Sequence, residues 1–442
     1  MTGRPCWIGV DVGTSGCRAA AVDARGERLA LAKATLPAPR HEPGGGVAQD
    51  PEAWWEAAIA VLRRLTRQLR GARIVGVCVD ATSATLLLSD RDGTPLTPAL
   101  MYNDRRASAA ARRIAAQAPA SSPARGATAS LAKALHLGLT LPKGTEAWAL
   151  HQADWIAGRL CGRFGISDWN NALKLGFDPE AERWPDWIAR VDLAGVHLPA
   201  VIAPGTPVGP VTPTAAAATG LSPETQVAAG TTDSTAAAIA AGAERAGDAV
   251  TSLGSTLVLK ILTPRPIADP ERGVYSHRLG DLWLAGGASN SGGAVLRQFF
   301  GDERLGALMP QLRPERPTGL DYYPLPAAGE RFPHNDPQRP PRLAPRPNDD
   351  AVFLQGLLEG IAAIEAAGYR LLHALGTPWP GAILTTGGGA ENAAWSRIRE
   401  RLLGIPVQAA PEQEAAYGSA LLCLRGSTAG GRADGRGLSR RV

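Results

Sequence analysis

The chain has 442 residues and a mass of 46.0 kDa, enough for two or three domains. Apolar residues make up 45% and charged residues 20%, which excludes disorder over the whole length. The formal charge of +5 leans on Arg432, Arg436, Arg440 and Arg441 at the very end, and no basic stripe interleaved with aromatics accompanies it, so nucleic acid is excluded as a partner.

Residues 7–36 read as a small antiparallel meander. A short apolar strand (7–11) ends in Asp11, a tight turn follows at 13–16, and strands return over 18–22 and 28–35. Helical spacing covers 51–70, with Pro51 and Glu52 after Asp50 as a start signal. A buried strand over 74–79 ends at Asp80. Residues 145–161 and 181–194 have helical character. The opening pattern then recurs: strand 249–253, turn 254–256, strand 257–262. A long amphipathic helix spans 350–375. Strand 382–386, a triple-glycine loop and a helix over 391–403 follow. Residues 308–349, rich in Pro and Arg, read as a surface excursion, and 426–442 as a disordered tail.

The repeated hairpin suggests an internal duplication with a boundary near residue 243. Each half would be a mixed sheet with helices on its faces, with a cleft between the halves. The five cysteines show no C-x-x-C spacing, so neither a disulfide framework nor a zinc site is expected. The amino terminus has no apolar signal core, and no run approaches the roughly 18 apolar residues of a membrane span. A cytoplasmic protein without a membrane partner is expected.

Several segments have the residue types for chemistry. In Asp11 to Gly16, the glycines let backbone amides face an anion, and Thr14 and Ser15 add hydroxyls. A carboxylate beside a phosphate makes sense with Mg²⁺ between them. Ser252 to Thr256 repeats the device, so two loops could grip one polyphosphate. Gly387 to Asn392 fits a base or ribose lying on backbone. Asp233, at a strand-to-helix junction, could take a proton from a substrate hydroxyl. The polar clusters at 80–83 and 102–106 could bond a polyhydroxylated ligand. Each segment also has a plainer reading, as a turn or a helix cap. Neither a dinucleotide fingerprint nor a G-x-x-x-x-G-K-[ST] loop is present.

In this order, the segments resemble the FGGY carbohydrate kinases of the actin-like ATPase superfamily. The strings "IGVDVGTSG", "AAGTTDS", "AVTSLGST" and "TTGGGAEN" carry the likeness, which runs from about residue 7 to 424. Longer strings, "NNALKLGFDPE", "GGASNSGGAVLRQFF" and "GLDYYPLPAAGERFP", are similar to D-ribulose kinases of the cyanobacterial and plant type. The resemblance implies an α/β, ribonuclease H-like fold in two duplicated domains, 1–243 on the sugar and phosphate side and 244–425 on the nucleotide side.

It also implies ATP and Mg²⁺ as cofactors and a sugar as substrate, with a homodimer as a possible assembly. Asp233 would be the general base and, with Asp11, would hold Mg²⁺. The substrate would lie along Asp11, Ser15, Gly16, Cys17, Arg18, Thr82, Ser83 and Asp233. Gly13, Thr14 and Ser15, then Gly254, Ser255 and Thr256, would meet the phosphates. Gly387, Gly388, Gly389, Ala390 and Asn392 would line the adenosine. Xylulokinases usually carry Met-His-Gly where this chain has Ala81-Thr82-Ser83, and Asn where it has Ser234. His136 stands where the family often has Trp. The alternatives are a D-xylulose or other polyol kinase, or an actin-like ATP-binding sensor without sugar chemistry.

Overall fold

The computed structural model describes residues 3–430. They divide into two compact units. Residues 3–240 and 414–430 form unit 1, and residues 241–413 form unit 2. The sequence places everything to 425 with the second half. The structure instead returns the chain to unit 1 at residue 414.

In unit 1 the elements used below are β1 (Pro5–Val12), β2 (Gly16–Asp23), β3 (Arg28–Thr35), α1 (Pro51–Gln68), β4 (Arg73–Ala81), β5 (Leu86–Ser89), α2 (Ser130–Gly138), β6 (Ala147–His151), α3 (Gln152–Cys161), α4 (Trp169–Ala172), β7 (Pro207–Pro210), β8 (Gln226–Thr232) and α5 (Asp233–Ala241). The main sheet runs β7-β8-β4-β1-β2-β3. β1 is antiparallel to β2 and parallel to β4, which is parallel to β8. Helices cover both faces of β1, so it is buried almost throughout and reads as an unbroken apolar run. α1 starts where the sequence signals it: the Asp50 carboxylate accepts from the Glu52 amide at 3.0 Å with Pro51 at the first turn. A second six-stranded sheet, containing β5 and β6, packs with α2 over a separate core.

Unit 2 holds β9 (Ala249–Leu253), β10 (Leu257–Thr263), β11 (Tyr275–Leu279), β12 (Leu282–Ser289), α6 (Gly293–Phe299), α7 (Asp350–Ala374), β13 (Ile383–Thr386), α8 (Ala393–Leu403) and β14 (Val407–Ala409). Its sheet runs β11-β12-β10-β9-β13-β14. Five strands of this order, β12-β10-β9-β13-β14, reproduce β3-β2-β1-β4-β8 of unit 1 in sequence and direction. The duplication is thus present in the topology. By length and composition α7 could cross a membrane, but 83% of its most apolar stretch is buried as the core helix of unit 2.

The helix α9 (Ala415–Gly430) closes unit 1 by lying on β1 and β4. Glycines permit the approach. A Cβ on Gly9 would fall 2.0 Å from the Ala416 carbonyl oxygen, and one on Gly418 would fall 1.9 Å from that of Ala236. Backbone atoms cannot yield as a side chain does. Gly418→Ala is therefore expected to cost about 3 kcal/mol or more, read as a lowered denaturation midpoint. A midpoint within error of wild type would refute this contact.

Two expected helices differ. Residues 147–151 are strand β6, because Trp148, Ala149, Leu150 and His151 pair with β5 and Ala147 pairs with Val196 inside a sheet. Residues 181–194 form turns with a short 3-10 segment at Ile188–Arg190; Pro185 interrupts them, and Glu182 and Ala194 take positive φ. The Pro/Arg-rich excursion is clamped. Buried Glu330 accepts from Ser289 Oγ (2.6 Å), the Asn290 amide (2.9 Å) and Tyr323 OH (3.0 Å). The tail expected over 426–442 is helical through 430, and residues 431–442 lie outside the described residues.

Candidate active site

The β1–β2 turn is closed by Gly13 N donating to the Gly16 carbonyl at 2.9 Å. Ser15 is exposed at its tip, and Thr14 and Gly16 are half-buried beside it. Strand alternation sends Asp11 and Arg18 to one face, where they pair at 3.3 Å. Arg18 also reaches Glu414 at 3.1 Å. Cys17 faces the other way and is wholly buried in the core. Its thiol points away from Arg18, although the residue borders a cavity of about 620 Å³ together with Ser15, Gly16 and Arg18.

Three carboxylates converge on this face. Asp80 is the register partner of Asp11 on β4. Asp233 opens α5 at the end of β8, with one carboxylate oxygen accepting from the Ser234 amide at 2.6 Å. Burial raises the Asp11 carboxyl to about 6, the charge of Asp233 adds to this, and Arg18 opposes it. Asp80 is wholly buried, and burial followed by the charge of Asp11 pushes its carboxyl well above the usual range. Ser419 of α9 donates to one Asp80 oxygen at 2.5 Å, and the raised Asp80 carboxyl shares a side-chain hydrogen bond with Asp11. Asp80 was expected among ligand contacts. It lies instead under α9, sealed from solvent.

Among the described residues no group of three or more His, Cys, Asp or Glu side chains is arranged to hold a metal by itself. Mg²⁺ needs less: one or two carboxylates, with phosphates and water completing the shell. The mutually repelling pair Asp11 and Asp233 has the hard oxygens for that role.

Thr82 is buried in the turn after β4 and Ser83 is half-buried beside it. Thr82 Oγ1 bonds Thr85 Oγ1 at 2.6 Å, and Thr85 Oγ1 accepts from the Tyr102 amide at 3.0 Å. The two polar clusters therefore meet. Asp104 in the second is structural: it accepts from the Val47 amide (2.7 Å) and from Arg106 Nε (3.0 Å). Asn170, which was not among the expected site residues, donates from its side-chain amide to Thr231 Oγ1 at 3.1 Å, two residues before Asp233. No spacing signal marks it.

In unit 2 the second hairpin turn rests on the start of α6: Gly293 N donates to the Gly254 carbonyl (2.9 Å) and Ala294 N to that of Ser255 (3.1 Å). Gly387, at φ +84°, passes the chain beneath Leu253, where a Cβ would stand 2.7 Å from a carbonyl oxygen. Asn392 caps α8 by accepting from the Trp395 amide at 3.1 Å. A cleft of about 860 Å³ opens here. Gly254, Ser255, Gly388, Gly389 and Asn392 are on its wall. Thr256, Gly387 and Ala390 are not: Thr256 leads into β10, Gly387 lies under Leu253, and the Ala390 methyl is buried behind the turn. Apolar wall residues such as Leu296, Met309 and Pro310 were not foreseen, because distant segments supply them.

Residues 6–240 match the N-terminal domain, and residues 249–427 the C-terminal domain, of the FGGY family of carbohydrate kinases. The chain belongs to this family. It is an ATP-dependent carbohydrate kinase with the actin-like ATPase fold, which sets aside the sensor alternative. The kinase is 31% identical over 437 residues to a protein named xylulose kinase from Streptomyces coelicolor, covering 91% of this chain and 84% of the relative. It is 28% identical to the Escherichia coli protein of the same name, covering 90% and 85%. Among solved structures, xylulose kinase from Rhodospirillum rubrum superposes with a TM-score of 0.82 at 25% identity, covering 97% of this chain and 90% of that one. A gluconate kinase from Lactobacillus acidophilus reaches 0.83 at 18% identity, covering 96% and 90%, and shows only that the fold is shared.

Proposed function

We propose that this kinase phosphorylates a ketopentose, D-ribulose, to give D-ribulose 5-phosphate. The observation that carries the choice of sugar is the turn at Ala81-Thr82-Ser83, followed by Ser234 after Asp233. Thr82, Ser83 and Ser234 put small hydroxyls there beside the Ala81 methyl, where xylulokinases usually carry Met-His-Gly and Asn. D-ribulose and D-xylulose differ only in configuration at C3, so such side chains are the groups able to discriminate.

In the reaction, Asp233 takes the proton of the C5 hydroxyl as its oxygen attacks the γ-phosphorus. The new O–P bond forms, the bond from the γ-phosphorus to the bridging oxygen breaks, and ADP leaves with that electron pair. Asp11 and Asp233 would hold Mg²⁺, which when bound neutralises phosphate charge. Gly13 to Ser15 and Gly254 to Ser255 offer backbone amides and hydroxyls to the phosphates, and Gly388, Gly389 and Asn392 line the adenosine. The chain's contribution is chiefly positioning and electrostatics, since phosphoryl transfer requires little from a base. We place the kinase in the cytoplasm, where ATP is supplied.

The test is ADP release with Mg-ATP and D-ribulose, D-xylulose, L-ribulose, ribitol, glycerol or no sugar. D-ribulose is expected to exceed every other sugar in kcat/KM by at least about tenfold, or about 1.4 kcal/mol in the transition state. Chelating the metal is expected to abolish turnover. The relatives named xylulose kinase favour a second reading, D-xylulose, and a preference for that sugar would replace the first.

A further inference from the structure

Gln152 opens α3 immediately after β6 and is wholly buried. One orientation satisfies both ends of its amide. The nitrogen then donates to Thr82 Oγ1 at 2.9 Å and to the Val12 carbonyl at 3.2 Å, and the oxygen accepts from Trp54 Nε1 at 3.2 Å. Its backbone amide donates to the Thr85 carbonyl at 3.2 Å. Trp54 Nε1 is shared with Gln49 Oε1 at 2.7 Å. Gln49 in turn donates to the carbonyls of Thr14 (3.2 Å) and Pro37 (2.7 Å). Val12 and Thr14 flank Gly13 in the first phosphate turn. A continuous buried strut thus runs from Thr82, through Gln152, Trp54 and Gln49, to both sides of that turn.

We infer that Gln152 is a positioning residue that sets the sugar turn at 82–85 against the phosphate hairpin at 12–16. The inference rests on the reading of 81–83 as a sugar contact. Only an amide supplies what the place needs: two N–H donors for Thr82 and Val12, and an oxygen for the indole. Methionine fills the volume and supplies neither. A kinase must direct the γ-phosphoryl group to its sugar rather than to water. That choice depends on holding the attacking oxygen about 3–3.5 Å from phosphorus and in line, where a displacement of about 1 Å costs roughly 10²-fold. The strut joins the groups on the sugar side to those on the phosphate side of this distance.

The test compares ADP released with sugar phosphate formed, using the sugar that the wild type turns over best. The wild type is expected to give one sugar phosphate per ADP. Gln152→Met is expected to release clearly more ADP than sugar phosphate, with sugar KM raised about tenfold and ADP affinity unchanged. A merely structural defect lowers both products together and leaves their ratio at one. A ratio of one with unchanged KM would overturn the assignment. Should Gln152→Met not accumulate, Gln152→Glu removes the donor to Val12 but keeps the oxygen for Trp54, and Gln49→Met removes the Thr14 arm. A ratio of one in both would equally overturn it. Failure of the D-ribulose reading appears separately, as wild-type preference for another sugar, and the ratio is then measured with that sugar.

Discussion

Asp233→Ala is expected to lose sugar phosphorylation, with kcat falling about 10²–10⁴-fold, while metal-free ADP binds as in the wild type. The fall follows from removing the one carboxylate that opens a helix beside Asp11 at the strand ends. Unfolding cannot account for it. A carboxylate in the first turn of a helix stabilises it by only about 0.3–1 kcal/mol, and removing Asp233 also relieves the repulsion on buried Asp11. The variant is expected to melt close to wild type. ADP affinity by calorimetry and ADP release with sugar check the two halves of the expectation. Near-native turnover would remove Asp233 from its role. Lost affinity for metal-free ADP would make the residue structural.

Arg399→Met has the second large effect, on stability. Arg399 is wholly buried and grips Glu365 with two hydrogen bonds, Nε at 2.6 Å and a terminal nitrogen at 2.7 Å. Its other terminal nitrogen donates to Thr385 Oγ1 at 2.7 Å. Glu365 also accepts from Thr251 Oγ1 at 2.6 Å, which in turn bonds Tyr369 OH at 2.9 Å. The network ties α7 and α8 to β9 and β13, the strands that lead to Gly254 and Gly388. Removing the guanidinium leaves a buried carboxylate without its counter-charge, at a cost of about 3–5 kcal/mol. For a unit of this size, that lowers Tm by roughly 6–20 °C. Arg399→Met with Glu365→Gln is expected to recover much of the loss, because no charge is then stranded and the amide oxygen still accepts from Thr251. A double variant no more stable than Arg399→Met alone would refute this account. Calorimetric unfolding distinguishes the outcomes.

Much of this was legible in the sequence because it is local. The strand-turn-strand pattern around Asp11 and its repeat around Gly254 follow from alternation and turn glycines, and both hairpins form over nearly the expected residues. The start of α1 follows from Asp50 and Pro51. Where local signals were ambiguous, pairing partners decided. Residues 147–151 have helix-compatible composition, yet β5 is available to pair with them, so they extend.

Other features had no local signature. Asp80 and Asp11 stand 69 positions apart and meet only because β1 and β4 are parallel neighbours. Ser419, 339 residues from Asp80, reaches it only because α9 leaves the second half of the chain to cover the first sheet. Gln49, Trp54 and Gln152 carry no motif of their own, and three segments bring them into one buried strut. The Pro- and Arg-rich composition of 308–349 left its order open, and buried Glu330 anchors it.

By itself, the sequence determined the duplicated hairpins, the glycine loop, the position of Asp233 and the family likeness. These depend on residue type and short spacing, which the chain carries wherever it folds. The return of α9, the burial of Asp80, the inward turn of Cys17 and the wall of the cleft in unit 2 were decided only by tertiary structure. Each is a relation between distant segments, fixed by which strands pair and which faces are buried, and no window of local sequence contains that information.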